Sequence, residues 1–419
     1  VGIPATQSLV PVILGGDIGV YAIGRSFHEA FGVRSVCVAS APTEAISRSH
    51  IFEVEHLPSR AGDAETLAVL EGVAASRPGR DLVLMANHDV HSAFVARHAQ
   101  QLGEHYALPF PDLATIDRVT DKAHFARVCG RLGVPTPRTV VVDMSEAEDP
   151  AWRPPEVDLP FPLVAKAARG DAYDAVTFEG KRKIWFLEEP SELEALWGAL
   201  RRAGFRDTFL VQELIPGDNT QMRSITAYVD SRGRATLIGS ARVLLEDHAP
   251  TMIGNPVAMI TEPFPQLWED ARRILASTGY RGFANFDVKI DPRDGRAVFF
   301  EVNPRIGRNN WYMTAAGANP MTPMVADLVE GLDGPDAPVR EAVEEILYSL
   351  VPDRLLLRYV RDDALRARVA GLIRSGRRFD PLVYEAETDR RRSTVIALQK
   401  INQYRKFRRY YPRATDRSF

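Results

Sequence analysis

The run Phe299-Phe-Glu-Val-Asn-Pro-Arg305 holds the residues best suited to chemistry. Read as a strand, it puts Glu301 and Asn303 on one face, while Phe300 and Val302 point into a core. Asp287, on the preceding strand of the same expected hairpin, can supply a third oxygen donor, and the register between the two is left open by sequence. Two carboxylates and an amide suit Mg²⁺, a hard cation that takes oxygen ligands and completes its shell with water and substrate phosphate, with Mn²⁺ as an alternative. Arg305 follows directly, where its planar guanidinium could engage a transferring phosphoryl group or a carboxylate through paired bonds.

The elements that must position these residues are legible from periodicity. Residues 9–14, Leu-Val-Pro-Val-Ile-Leu, read as a buried strand, followed by a helix over 18–31 that Gly32 ends. Further strands at 36–39 and 82–86, with a helix over 92–102, predict a doubly wound parallel sheet. The glycines at 15, 16, 19 and 24 do not match G-x-G-x-x-G, and no acid ends the second strand, so a dinucleotide site is not expected. They leave two readings: close packing, or a turn that aims Asp17 and the helix start at a small anionic ligand. Beyond Pro109 and Pro111 a helix is predicted over 120–132. Strands are predicted at 209–215, 224–230, 235–241, 283–290 and 297–302, with a helix over 265–278.

Lys122 near a helix start, Lys166 at a strand end, the strand Phe-Leu-Val-Gln-Glu-Leu-Ile-Pro-Gly of 209–217 and the acidic hairpin occur in a specific order. Over about residues 110 to 320 they resemble the ATP-grasp superfamily of carboxylate-amine ligases. The resemblance implies an α/β chain: a parallel-sheet domain over 1–110, a small lobe over 111–208, a large lobe with the metal site over 209–335, and a helical extension with a basic tail over 336–419. It implies that Lys122 and Lys166 bind ATP phosphates as compact point charges. Gln212, Glu213 and Ile215 would border adenine, and Asp218 would meet the ribose. Asp287, Glu301 and Asn303 would hold Mg²⁺, while Arg305 and Arg242 would face the acyl phosphate; a plain surface arginine is the other reading of Arg242. The loop Arg169-Gly-Asp-Ala-Tyr-Asp174 would cover the phosphates, with one glycine where many relatives have several.

The chemistry so implied joins a small-molecule carboxylate to an amine acceptor at the expense of ATP. The opening Leu-Gly-Gly-Asp-Ile-Gly-Val-Tyr of 14–21 and the run Asn303-Pro-Arg-Ile-Gly-Arg-Asn-Asn-Trp-Tyr312 look like the bacterial D-aspartate ligase branch. That branch implies attachment to an anionic, nucleotide-linked peptidoglycan precursor. Asp17, Arg308, Asn309 and Asn310 would then bind substrate, unless the last three only anchor the segment after the metal strand. A ligase for another amino acid, or a nucleotide sensor without turnover, is the alternative.

Composition limits the rest. The 419 residues carry 52 Lys and Arg against 55 Asp and Glu, a net charge of −3, which argues against whole-protein attraction to nucleic acid. Only seven of those cations are lysines, so arginine-rich codon usage makes Lys122 and Lys166 more informative. Residues 390–419 hold ten cations and one acid, leaving about −12 for the remainder. This tail reads either as a solvated helix lying on an acidic body or as a basic lip for a polyanionic substrate or a membrane surface. Two cysteines, Cys37 and Cys129, are too few for a disulfide framework or a structural zinc site. Without a transmembrane or signal-like run, a soluble cytoplasmic protein is expected, and a homodimer is possible.

Overall fold

The computed structural model describes residues 8–168, 172–173, 175–249, 252–331 and 338–415. Two compact units share the chain: unit 1 takes the residues up to Thr120, Gly217–Ile290 and those from Glu301, and unit 2 takes Asp121–Pro216 and Asp291–Phe300.

Unit 1 begins with a five-stranded parallel sheet of β1 (Leu9–Leu14), β2 (Ser35–Ala39), β3 (Phe52–His56), β4 (Asp81–Ala86) and β5 (Tyr106–Ala107), in the order β3-β2-β1-β4-β5. All six residues of β1 are buried, as expected for a central strand covered on both faces. Helix α1 (Ile18–Phe31) crosses over to β2. Asp17 caps its start by accepting from the Gly19 and Val20 amides, and Gly32 ends it at φ 69°. The glycines here are packing devices. A Cβ on Gly24 would lie 2.1 Å from the Phe52 ring, and one on Gly19 would lie 2.0 Å from Asn87 Nδ2. β3 was not foreseen, because its Phe-Glu-Val-Glu-His alternation is short and half exposed. The helix expected over 92–102 is two pieces, Asp89–Arg97 and Ala99–Leu102, interrupted at His98.

Unit 2 is an antiparallel sheet of β6 (Thr139–Asp143), β7 (Leu163–Ala167), β8 (Trp185–Leu187) and β9 (Thr208–Glu213), ordered β6-β9-β7-β8. Helices α2 (Lys122–Leu132) and α3 (Pro190–Arg202) accompany it. Leu163 and Ala165 of β7 and Phe209 and Val211 of β9 pack with Trp197 and Leu200 of α3 in its core.

The rest of unit 1 is built on an eight-stranded sheet, in which only residues 301–303 of the acidic hairpin's last strand belong to this unit. β10 (Met222–Val229), β11 (Ala235–Glu246) and β12 (Pro256–Thr261) run antiparallel, and β13 (Gly282–Ile290) and β14 (Ala297–Asn303) extend the β10 edge; helix α4 (Pro265–Ser277) links β12 to β13. The stretch after residue 336, expected to be helical, also adds β15 (Arg340–Ala342), β16 (Leu347–Ser349) and β17 (Arg378–Phe379) to this sheet. Strands of two or three residues are too short for any periodicity to show.

Helix α5 (Arg390–Tyr410) is basic, as the tail's composition indicated, and its inner side is firmly docked. Arg392 is only 2% exposed and donates to the carbonyls of Ala45 and Leu382 at 2.9 and 3.1 Å. Lys400 pairs with Asp380 at 2.7 Å, Lys406 pairs with Asp247, and Phe407 is buried. Just beyond, the Tyr411 ring stacks on His248 with centroids 3.6 Å apart.

Burial drives the His248 imidazole down to about 4, against a smaller opposing pull from Asp247. The ring is therefore neutral in the fold, whereas in an unfolded chain it takes a proton near its ordinary value of 6.5. The unfolded state binds the extra proton between those values. Stability from this site is complete above pH 6.5 and is lost as pH falls toward about 4. Melting temperatures across that window are expected to show the decline, and His248→Phe, which keeps the ring stack, is expected to flatten it.

Candidate active site

In unit 2 the strand register sorts the expected nucleotide residues. Lys166 lies opposite Leu210 and Val164 opposite Gln212, so these four share one face of the sheet, while Leu163, Ala165, Phe209 and Val211 fill the core on the other. That face lies outside this cluster and carries Lys166 and Gln212 on adjacent strands. Gln212 is held by a 2.8 Å bond from its Nε2 to Thr139 Oγ1. Glu213 is 7% exposed, and its carboxylate accepts from the Arg138 amide at 3.1 Å and from Arg296 at 3.4 Å. Ile215, past the strand end, is buried. Lys122 opens α2, which begins there because Asp121 caps it through the His124 amide. Of the expected covering loop, Arg169, Gly170, Asp171 and Asp174 lie outside the described residues.

In unit 1, β13 pairs antiparallel with β10. Ser224 lies opposite Asp287 and Met222 opposite Lys289, so Asp287 and Lys289 share a face. Asn303 donates from Nδ2 to Asp287 Oδ2 at 3.2 Å and to the Asn285 carbonyl at 3.3 Å, which brings two of the three expected metal ligands into contact. Glu301 precedes Asn303 by two residues on β14 and so starts on the same side. No group of three His, Cys, Asp or Glu side chains that could hold a metal occurs among the described residues. The donor set here, two carboxylates and an amide, fits Mg²⁺ by its hard oxygens, provided the Asn303 amide turns so that oxygen replaces nitrogen.

Two further charges stand on this sheet: Lys289, which the two-residue period already puts on the face of Asp287, and Glu246, which escaped the sequence reading. Lys289 is 5% exposed and donates to the Gly217 carbonyl at 2.8 Å. Glu246, at the end of β11, is buried, and its carboxyl is pushed up to about 7, first by burial and then by the charge of Asp287, against the pull of Lys289. A lone acid ending an apolar strand was the available signal. Arg242 is not brought to the acids: it is the register partner of Arg223, so its Cβ starts on the face opposite Asp287, and its Nε donates to the Thr220 carbonyl at 3.0 Å. Asp218 closes the turn just before, accepting from the Thr220 amide and hydroxyl at 2.9 and 2.6 Å.

Sheet order reverses between β1 and β4, the switch point where open α/β sheets gather ligand-binding groups beyond their carboxyl ends. Asp17 follows β1, and Asn87, His88, Asp89 and His91 follow β4. Asp17 Oδ2 accepts from Arg308 Nε at 2.8 Å, and Oδ1 accepts from Asn87 at 3.0 Å. Burial raises the Asp17 carboxyl, but Arg308, Asn87 and the Val20 amide together outweigh it and hold the group below its ordinary value. Arg305 donates from Nε to Asp89 at 3.0 Å. Asn309 accepts from Tyr348 at 3.2 Å, and Asn310, fully buried, donates to the Gly307 and Gly19 carbonyls. These two asparagines anchor the segment within the fold, while the two arginines reach the switch point. Burial, then the neighbouring His88, keeps His91 below the ordinary imidazole value. The sequence reading missed these histidines, although the polar run Asn87-His-Asp-Val-His91 directly after an apolar strand was a usable sign.

No family model matches the chain. It is 30% identical to a D-aspartate ligase of Enterococcus faecium over 414 residues, covering 97% of each chain. Among solved structures, an L-amino acid ligase from Bacillus licheniformis aligns with a TM-score of 0.53 at 16% identity, over 76% of this chain and 74% of that one. The ADP complex of an N5-carboxyaminoimidazole ribonucleotide synthetase aligns with a TM-score of 0.54 at 14% identity, over 81% and 80%. The structural likenesses concern the fold.

Asp17 should matter for stability apart from any ligand. Asp17→Ala removes a helix cap and strips Arg308 of its carboxylate, with an expected loss of ~1–3 kcal/mol in urea unfolding. Asp17→Asn keeps a cap acceptor and is expected to recover part of that loss. Equal stability of Asp17→Ala and the parent would refute this account.

Proposed function

The chain belongs to the ATP-grasp carboxylate-amine ligases and is a carbon–nitrogen ligase, and on that premise we propose that it joins the side-chain carboxylate of D-aspartate to an amine of a peptidoglycan precursor. The near full-length likeness to a D-aspartate ligase carries this reading. In the first step a carboxylate oxygen attacks the γ-phosphorus of ATP, the bond to the β-bridging oxygen breaks, and ADP leaves. In the second, the amine nitrogen attacks the acyl carbon, and phosphate departs with the bonding pair and takes the proton that the nitrogen gives up.

The physical obstacle is repulsion between a carboxylate and a triphosphate. Lys122 and Lys166 neutralise phosphate oxygens as point charges, and Gln212, Glu213 and Ile215 border the base. Asp287, Glu301 and Asn303 would hold Mg²⁺, which when bound supplies charge neutralisation at the phosphates. Arg305 meets the developing negative charge, exchanging its bond to Asp89 for one to substrate; that pair is easily released because Asp89 is more than half exposed. Asp218 and Arg242 shape the turn at 217–220 through their bonds at Thr220. Arg308, with His91 nearby at the switch point, orients the amino acid. The aspartate enantiomer and the amine acceptor rest on likeness to the relative, and the reaction type rests on family membership.

Lys166→Ala and Glu301→Ala are each expected to lower ADP release by about 10²-fold or more, and Arg305→Ala by about 10²–10³-fold, with melting temperatures close to the parent's. Retained activity in Lys166→Ala or Glu301→Ala would sink the site assignment. Substrate identity is tested with both aspartate enantiomers against lysine-containing wall precursors, read by ADP release and product mass. ADP release with another amino acid only would correct the substrate, and tight ATP binding without ADP under any pair would favour a sensor.

A further inference from the structure

We propose that the outward face of α5 seats unit 1 on an anionic phospholipid surface. The helix is anchored by Arg392, Ile396, Lys400, Lys406 and Phe407 on its inner side. Its other side presents Leu398 at 59% and Ile401 at 64% exposure, unusual for aliphatic residues on a helix with so polar a sequence. At 100° per residue these two fall with the exposed Arg391, Arg405, Arg408 and Arg409 inside one arc of about 100°. The helix from Arg390 to Tyr410 contains no acidic residue. An aliphatic pair ringed by arginines is the pattern of a helix that lies in a membrane interface, and no described helix is long and apolar enough to cross one.

A groove of about 450 Å³ adjoins this face, lined by Leu355, Arg358, Tyr404, Phe407 and Arg408 among others. Two guanidinium groups at its rim suit a phosphodiester headgroup, and its apolar floor suits the glycerol and first methylenes below. The charge pattern alone would serve any polyanion. Exposed Leu398 and Ile401 favour lipid over a soluble polyanion, because they gain only where apolar surface is removed from water, and a bilayer offers an apolar layer directly beneath its charged one. The occupant is thus a bilayer carrying anionic headgroups, and the proposal goes beyond the ligase reading without depending on it.

Sedimentation of the full chain with vesicles tests this without turnover, so it stands apart from the ATP assignment. Binding is expected to vesicles of 70:30 phosphatidylcholine and phosphatidylglycerol in 0.1 M NaCl, not to phosphatidylcholine alone, and is expected to be lost in 0.5 M NaCl. Leu398→Gln with Ile401→Gln should weaken it by tenfold or more, and Arg405→Ser or Arg408→Ser by roughly fivefold each. These side chains are exposed, so unchanged melting temperatures are expected in both sets. No sedimentation on the anionic vesicles, or sedimentation unaltered in every variant, overturns the proposal. So does displacement from the vesicles by a soluble nucleotide-sugar or an RNA whose own binding needs the arginines but neither Leu398 nor Ile401.

Discussion

The carboxylate of Asp17 receives four donors at once: the amides of Gly19 and Val20, the side-chain amide of Asn87 and the guanidinium of Arg308, all between 2.8 and 3.1 Å. They come from the first turn of α1, the end of β4 and the segment that follows β14. The side chain remains 41% exposed, so it is the aligned donors on both oxygens, one of them charged, and not burial that fix the carboxylate in place. The parallel sheet and the exit of the acidic hairpin are thereby tied at one point. Gly19 follows from the same constraint, since any Cβ there would displace Asn87. Arg308, drawn to the switch point by this bond, stands near the β4 terminus with Arg305, which is held by Asp89 from the same stretch.

The large sheet applies a second constraint, the two-residue period of a strand. β13 gives Phe286 and Val288 to the core and Asp287 and Lys289 to the opposite face, so a single strand serves packing and the proposed site without a loop. Such placement leaves little freedom to the acids, as the proposed site for a divalent cation and a triphosphate requires. Buried Lys289 ties this face to the Gly217 carbonyl and so to the turn that carries Asp218. In unit 2 the same alternation separates the face of Lys166 and Gln212 from the core under β7 and β9. α5 divides its labour in the helical period instead, with ion pairs and Phe407 inward and arginines with two aliphatic side chains outward.

Much of this was legible in the chain itself. β1, α1, β2, β4, α2, β7, β9, β10, β11, β13 and β14 follow from apolar periodicity and from Gly and Pro stops, and the motif residues Lys122, Lys166, Gln212, Asp287, Glu301 and Asn303 stand in order along the sequence. Boundaries moved where a side chain intervened, as at Asp121, which caps α2 and sets its start at Lys122. β3, β5, β6, β8, β12 and the strands after residue 336 were missed: they are two to six residues long, too short to show a clear period, and their pairing is supplied by neighbours distant in sequence.

What the sequence determined alone was the local alphabet: which stretches are strands, which residue types stand two apart on them, and that the tail is basic. Tertiary structure decided which of these residues meet. Asp17 and Arg308 lie 291 positions apart and become partners, while Arg242, close in sequence to other sheet residues, starts on the face opposite Asp287. The same holds for Glu246, whose raised carboxyl reflects burial and the charge of Asp287 across the sheet. Register and burial arise only when strands distant in the chain pair, and a shift of one residue exchanges the two faces, so no local reading of spacing could have assigned them.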